Sequence, residues 1–183
     1  MSMHKLLLTA AASGLLVACT TSPTGNVPST QGPKLGQHAS AAMVSAVDIS
    51  IPSSGAGLPA GSGTVVQGTA VYAAKCQSCH GEKGIGKPAD PLVGGIDSLT
   101  RGNAATRTVG SYWPYATTLF DYVRRSMPTT SPQTLSNEDV YAVTAYVLHL
   151  NGIVGPDAVM NAATLPSVKM PNRNGFVDMS ERK

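Results

Sequence analysis

Residues 76–80 read Cys76-Gln77-Ser78-Cys79-His80. On one helical turn, two thiols at this spacing can each reach a vinyl group of a porphyrin and become thioethers. The histidine that follows then lies under the iron and can offer an imidazole nitrogen as proximal ligand. Two other chemistries use paired cysteines. A structural zinc site wants four ligands, commonly a second Cys/His pair, and the remaining histidines are His4, His38 and His149. A redox dithiol wants a strand–helix–strand setting, and no such alternation surrounds Cys76. The motif therefore predicts a covalent haem c on Cys76 and Cys79, with His80 on the iron.

The opposite face of the iron needs its own ligand. Met127 is followed by Pro128 and a Thr/Ser/Pro stretch, at the end of an apolar-periodic segment. A methionine on such a loop can swing its thioether towards the metal. Met170-Pro171 repeats the pair and is the rival. The other methionines lie in the leader (Met1, Met3), in a polar tether (Met43) or beyond the last helix (Met160, Met179). Core gap-filling is the ordinary role for any of them. His149, near a helix C-terminus, is a weaker rival, since a histidine there is favoured by the helix dipole without any metal.

Three helices are needed to position these groups. The first runs from Thr64 or Val65 to Lys75, with Val65, Gly68, Val71 and Tyr72 on one face. Gly68 would be costly inside a helix unless another backbone approaches it closely. Gly81 to Gly102 reads as a loop wrapping the proximal side, with carbonyls near Pro88 to Pro91 available to the Nδ1–H of His80. Leu92 and Val93 are expected to pack at the haem edge. A second helix, about 115–126, follows Tyr112-Trp113-Pro114-Tyr115 and carries Leu119, Tyr122, Val123 and Ser126 on one face. Met127-Pro128 ends it. The third starts after Ser136, with Glu138 and Asp139 in its first turn, and stops at Asn151-Gly152. Its stripe is Val140, Val143, Tyr146 or Val147, and Leu150. Residues 153–183 read as irregular, with a short helix over 156–163.

The remaining sequence is an address and a tether. The chain has 183 residues and a formal net charge of +3, with no Lys/Arg run to suggest nucleic acid. Residues 1–18 read as a secretory signal whose apolar stretch falls short of a bilayer span. Residues 19–63 are a Ser/Thr/Pro/Gly/Ala linker in which Lys34 and Asp48 are the only charges. It lacks sustained periodicity, and such a linker reaches on the order of 30–40 Å. Its apolar stretch Val47-Asp48-Ile49-Ser50-Ile51 could dock on the haem domain, assigned to 64–152, with 153–183 as an extension packing on it. There are three cysteines, and with two assigned to haem the third, Cys19, is unpaired.

Two groups of residues carry family resemblances. Leu16-Val17-Ala18-Cys19 resembles the bacterial lipobox, which implies acylation of Cys19 and attachment to the periplasmic side of a membrane. Thr20, which is not aspartate, points to the outer rather than the inner membrane. Cys76 to His80, Met127-Pro128 and the helix over 137–150 resemble a class I cytochrome c. That resemblance implies an all-α fold of three to four helices around one haem. Its N- and C-terminal helices would cross where Gly68 and Tyr72 meet the Tyr146 region. The run Gly110 to Arg125, with Asp139 to Tyr146 and Met170 to Phe176, is similar to haem subunits of periplasmic molybdenum sulfite dehydrogenases and of the related sulfur dehydrogenase of thiosulfate oxidation. The lipobox and tether depart from a soluble subunit. The likeness implies a one-electron carrier reduced by a molybdenum-containing dehydrogenase or another redox protein, with Trp113, Tyr115 and Arg125 at the haem pocket. Arg124 and Arg125 would bind a propionate or steer an acidic partner. The alternatives are a general membrane-anchored carrier feeding a terminal oxidase, and a haem sensor or enzyme with a displaceable methionine.

Overall fold

The computed structural model describes residues 36–177, apart from 103 and 104, together with 179. The signal segment and Cys19 lie outside the described residues. The chain divides into two units, Met1–Ala39 and Ser40–Lys183. Of the first, only 36–39 are described; they are exposed, His38 among them, and form no helix or strand. The fold is that of the second unit.

Its elements are α1 (Ala41–Val47), β1 (Ser62–Thr64), α2 (Val65–Lys75), α3 (Gln77–His80), a 3-10 turn (Glu82–Gly84), α4 (Ala116–Ser126), α5 (Asn137–Leu150), β2 (Val159–Asn161) and a final 3-10 turn (Leu165–Ser167). Helix α1 falls in the tether, where composition gives no sign of a helix. Ser40 caps it by accepting the Met43 N–H at 3.2 Å, and none of its residues is buried.

Local sequence explains the helix starts. Thr64 begins α2 with a complete capping box: its hydroxyl accepts the Gln67 N–H, and the Gln67 side chain accepts the Thr64 N–H. Ser136 begins α5 by accepting the Asp139 N–H, and Glu138 and Asp139 complement the dipole. Gly152, at φ +68°, ends α5 with its N–H on the His149 carbonyl and that of Ile153 on Leu148.

Helix α5 is the centre of the molecule. It buries Val140 to Ala145 continuously, then Val147 and Leu148, a wider surface than the single stripe the periodicity implies. Helix α2 crosses it at Gly68, where an added Cβ would stand 2.6 Å from the Ala142 carbonyl carbon and 2.7 Å from Tyr146 Cβ. Tyr72 follows on the same face, its ring 5.3 Å from that of Tyr146. On another side Phe120 of α4 meets Tyr141 at 4.4 Å between centroids. The buried face of α4 is Ala116, Leu119 and Phe120, with Val123 partly buried. Tyr122, expected on that face, is 45% exposed. The i, i+3, i+4, i+7 stripe begins earlier than the aromatic spacing suggests.

Two short strands complete the fold. β1 pairs antiparallel with β2, Gly63 opposite Met160. The helix expected over 156–163 is thus replaced by a strand, because pairing with residues almost a hundred positions earlier supplies hydrogen bonds that a local reading cannot see. Met160, Leu165 and Met170 anchor the C-terminal segment in the core. Among the described residues no helix is long and apolar enough to cross a membrane.

Candidate functional site

Cys76 stands between α2 and α3, and Cys79 and His80 lie on the turn of α3. Neither cysteine is in a disulfide; Cys76 is half-buried and Cys79 exposed. These are the thiols expected from sequence to become the thioethers of a haem c. Burial pushes the Cys76 thiol up to about 11, with the neighbouring Cys79 adding to the effect.

The turn is clamped from three directions. The Gly86 N–H donates to the His80 carbonyl at 2.8 Å, and the Ala89 N–H to the Cys79 carbonyl at 2.9 Å. The Tyr72 hydroxyl donates to the Gly81 carbonyl at 2.9 Å. Burial first, then Cys76, pushes that hydroxyl up to about 12. Gly81 has φ +73°, and an added Cβ would stand 3.2 Å from the Gly86 carbonyl carbon, so glycine is required where the chain leaves the turn.

His80 Nδ1 lies 3.0 Å from the carbonyl oxygen of Asp90, inside the Pro88–Pro91 stretch. A carbonyl can only accept, so Nδ1 carries the proton and Nε2 presents its lone pair. This arrangement fixes the ring and raises its basicity as a ligand. The loop that supplies the carbonyl is itself tied down. Leu92 N–H donates to the Gly84 carbonyl at 2.8 Å, and the Leu92 carbonyl accepts from Val109 N–H and from Asn151 Nδ2 at 3.1 Å. By sequence Asn151 is only a helix stop. Its amide also bonds the Val147 carbonyl at 2.9 Å and so joins the end of α5 to the proximal loop. The long-range half of that role has no sequence signal.

The residues present suit a covalently held haem. There are two unpaired thiols on one turn and an imidazole with Nε2 free. Cys76, Val71, Leu92, Trp113 and Val123 pack, partly exposed, against the core cluster. Among the described residues no group of three or more His, Cys, Asp or Glu comes together, so the two thiols have no set of partners there for a closed zinc site.

The other expected site residues take different environments. Met127 is half-buried just past α4, its N–H on the Val123 carbonyl at 3.0 Å. Met170 is 3% exposed within the core cluster and takes the gap-filling role. His149 Nδ1 lies 3.1 Å from the Val154 carbonyl, closing the turn after α5. Trp113 stacks edge-on with Tyr122 at 5.6 Å, and Tyr115 lies beneath the Arg173 guanidinium at 4.1 Å. Arg125, assigned from sequence to the haem pocket, forms a two-pronged pair with Asp121, at 2.9 and 2.6 Å. Arg124 donates to the Ile49 carbonyl at 3.1 Å. Both guanidiniums are directed to the protein's own carboxylate and backbone, because α4 brings Asp121 within one turn and residues 49–51 run alongside.

Comparison with known proteins agrees with this geometry. The cytochrome c family matches residues 65–151, from the start of α2 to the end of α5. Among solved structures the chain is similar to the sulfane dehydrogenase SoxCD from Paracoccus pantotrophus, at 43% identity and a TM-score of 0.73, over 81% of this chain and 74% of that one. No match is found among curated proteins. Membership of the family implies covalently bound haem c, and the residues of the Cys76–His80 turn fit such a group. With its helical fold, its clamped Cys-x-x-Cys-His turn and this likeness to a solved relative, the chain belongs to the cytochrome c family.

Proposed function

We propose that this cytochrome carries single electrons on one haem, bound through Cys76 and Cys79 and ligated by His80 and Met127. When bound, the haem supplies the reversible one-electron chemistry, and His/Met ligation raises its potential. The chain's own residues orient and bury it. Asp90 holds His80 in the tautomer that ligates and Tyr72 holds the turn; the half-buried place of Met127 just past α4, against the full burial of Met170, supports Met127 as the sulfur ligand.

The electron donor on this reading is a molybdenum-containing dehydrogenase acting on sulfite or a related sulfur compound. The observation that carries it is the 43% identity to a sulfane dehydrogenase structure over most of both chains. The docking face contains Tyr112, Trp113, Tyr115 and Phe176, with Arg107 over Tyr112 at 5.6 Å and Arg173 over Tyr115. Aromatic and arginine side chains of this kind commonly anchor interfaces. Lipidation of Cys19 would hold the carrier at the periplasmic side of the membrane.

The test is stopped-flow haem reduction. The purified chain should stay oxidised when sulfite or a sulfane-sulfur compound is added, and should be reduced once a molybdenum dehydrogenase of that specificity is present. Rapid substrate-dependent reduction without a partner would refute the carrier reading.

A further inference from the structure

We propose that residues 49–53 form a strap along α4 that positions the Met127 sulfur. The proposal rests on Met127 ligation. Three hydrogen bonds tie the strap to successive turns of the helix. Thr117 Oγ1 donates to the Ser53 carbonyl at 3.0 Å, Ile51 N–H donates to Asp121 Oδ1 at 2.7 Å, and Arg124 Nη1 donates to the Ile49 carbonyl at 3.1 Å. The Ile51 side chain is 5% exposed in the core. Asp121 is the hinge of the arrangement, since the carboxylate that accepts from Ile51 also holds Arg125. Farther along, the Tyr141 hydroxyl donates to the Pro59 carbonyl at 2.9 Å, so the segment stays against the protein up to β1.

The consequence for Met127 follows from where its restraints can come from. Its backbone leaves the last turn of α4, where Arg124 and Arg125 sit. On the other side, Thr129 to Thr134 are all exposed. The hydrogen bonds of that loop are local: Ser131 N–H to the Pro128 carbonyl and the Thr134 hydroxyl to the Ser131 carbonyl. With a loosely held loop downstream, the sulfur is located chiefly by the turn before it, and the strap fixes that turn. A ligating group needs such support to hold its geometry to within about half an ångström. The strap precedes residue 65, where the match to the family begins, so it adds to the shared haem-binding framework. Arg124, Asp121 and Ile51 are positioning residues in this scheme, since each acts through the last turn of α4.

The experiment compares the haem-bearing parent with Ile51→Ala, Arg124→Ala, Met127→Ala and Met160→Ala. Met160 is a core control, 4% exposed on β2. The readouts are the sulfur-to-iron charge-transfer band of the oxidised protein, displacement of the sulfur by added imidazole, and hydrogen exchange over residues 123–127. Ile51→Ala should raise imidazole affinity at least tenfold, about 1.4 kcal/mol, and Arg124→Ala should raise it severalfold. Both should speed exchange at Met127. Met160→Ala should lower stability to a similar degree while leaving imidazole affinity and the band unchanged. Should Ile51→Ala fail to fold, Arg124→Ala, which removes a partly exposed side chain, carries the test. Imidazole affinity unchanged in both strap variants, with the band abolished only in Met127→Ala, overturns the strap and leaves the ligation reading standing. A band that survives in Met127→Ala overturns the ligation reading, and the strap's role with it.

Discussion

The crossing of α2 and α5 makes a quantitative prediction at Gly68. Replacing it with alanine should favour the isolated helix, since glycine costs about 1 kcal/mol relative to alanine in a helix interior. The structure opposes this gain. The new Cβ would stand 2.6 Å from the Ala142 carbonyl carbon and 2.7 Å from Tyr146 Cβ, where carbon atoms normally rest about 3.5–4.0 Å apart. The atoms it meets are a carbonyl and a Cβ of a buried central helix, and neither can rotate aside. The helices must therefore part by roughly an ångström, which also pulls Tyr72 from Tyr146. Overpacking of this kind costs about 3 kcal/mol at the upper end of its usual range. The net expectation is a loss of about 2 kcal/mol, which lowers a urea midpoint by about 1 M at a slope of ~2 kcal/mol/M. Gly155 is the control: a Cβ added there would meet nothing within 4 Å, and its φ is not positive, so Gly155→Ala should leave the midpoint unchanged or slightly higher. Equilibrium urea unfolding of the haem-bearing protein, followed by haem absorbance and far-UV circular dichroism, measures both. A Gly68→Ala variant as stable as the parent, or more stable, would refute the close crossing.

Met127→Ala should abolish the sulfur-to-iron band and lower the potential; Met170→Ala should keep the band but lose about 2–5 kcal/mol of stability, as for a buried methionine cut to alanine, and loss of the band in the second alone would move the ligand to Met170. Burial alone would raise the Asp121 carboxyl, but the bonds from Arg125 and Ile51 N–H and the charges of Arg125 and Arg124 outweigh it and hold it below the usual carboxylate range. A carboxylate depressed in the folded state contributes stability that is complete above its unfolded value, near 4, and is lost as pH falls through the folded one. Urea midpoints between about pH 5 and pH 2.5 should therefore fall less steeply in Asp121→Asn than in the parent; parallel curves would remove Asp121 from the acid response. Cys19→Ser should move the protein from the membrane to the soluble periplasmic fraction with its haem spectrum unaltered, since each buried CH₂ of an acyl chain contributes ~0.8 kcal/mol; a variant that stays with the membrane has another anchor. Arg107→Glu/Arg173→Glu should slow haem reduction by the dehydrogenase, most at low ionic strength, and a salt-independent, unchanged rate would take these arginines out of the docking face.

Much of the molecule is legible in the sequence because its signals are local. Cys76 to His80 needs no context to be read, since the thiols and the imidazole lie on a single turn, as the spacing implies. The caps at Thr64 and Ser136, and the proline after Met127, delimit α2, α5 and the end of α4 by bonds between residues at most four apart. Gly68, out of place in a helix by propensity, marks the backbone crossing that the fold contains.

What only the tertiary structure decided are the bonds that span the chain. β2 exists because Gly63 lies opposite Met160; alone, residues 156–163 have no reason to extend. Arg124 reads as a charge for a propionate or a partner until α4 is laid beside residues 49–51, where the Ile49 carbonyl accepts from it, 75 residues away in sequence. Asn151 stops a helix by a local rule and locks the proximal loop by a bond to Leu92 59 residues away. Periodicity and capping concern neighbours within a turn, whereas a carbonyl seeking a donor accepts whichever one packing delivers. The sequence by itself determined the cofactor chemistry and the helices that flank it; the tertiary structure decided which side chains hold those helices in place, because their partners lie far along the chain.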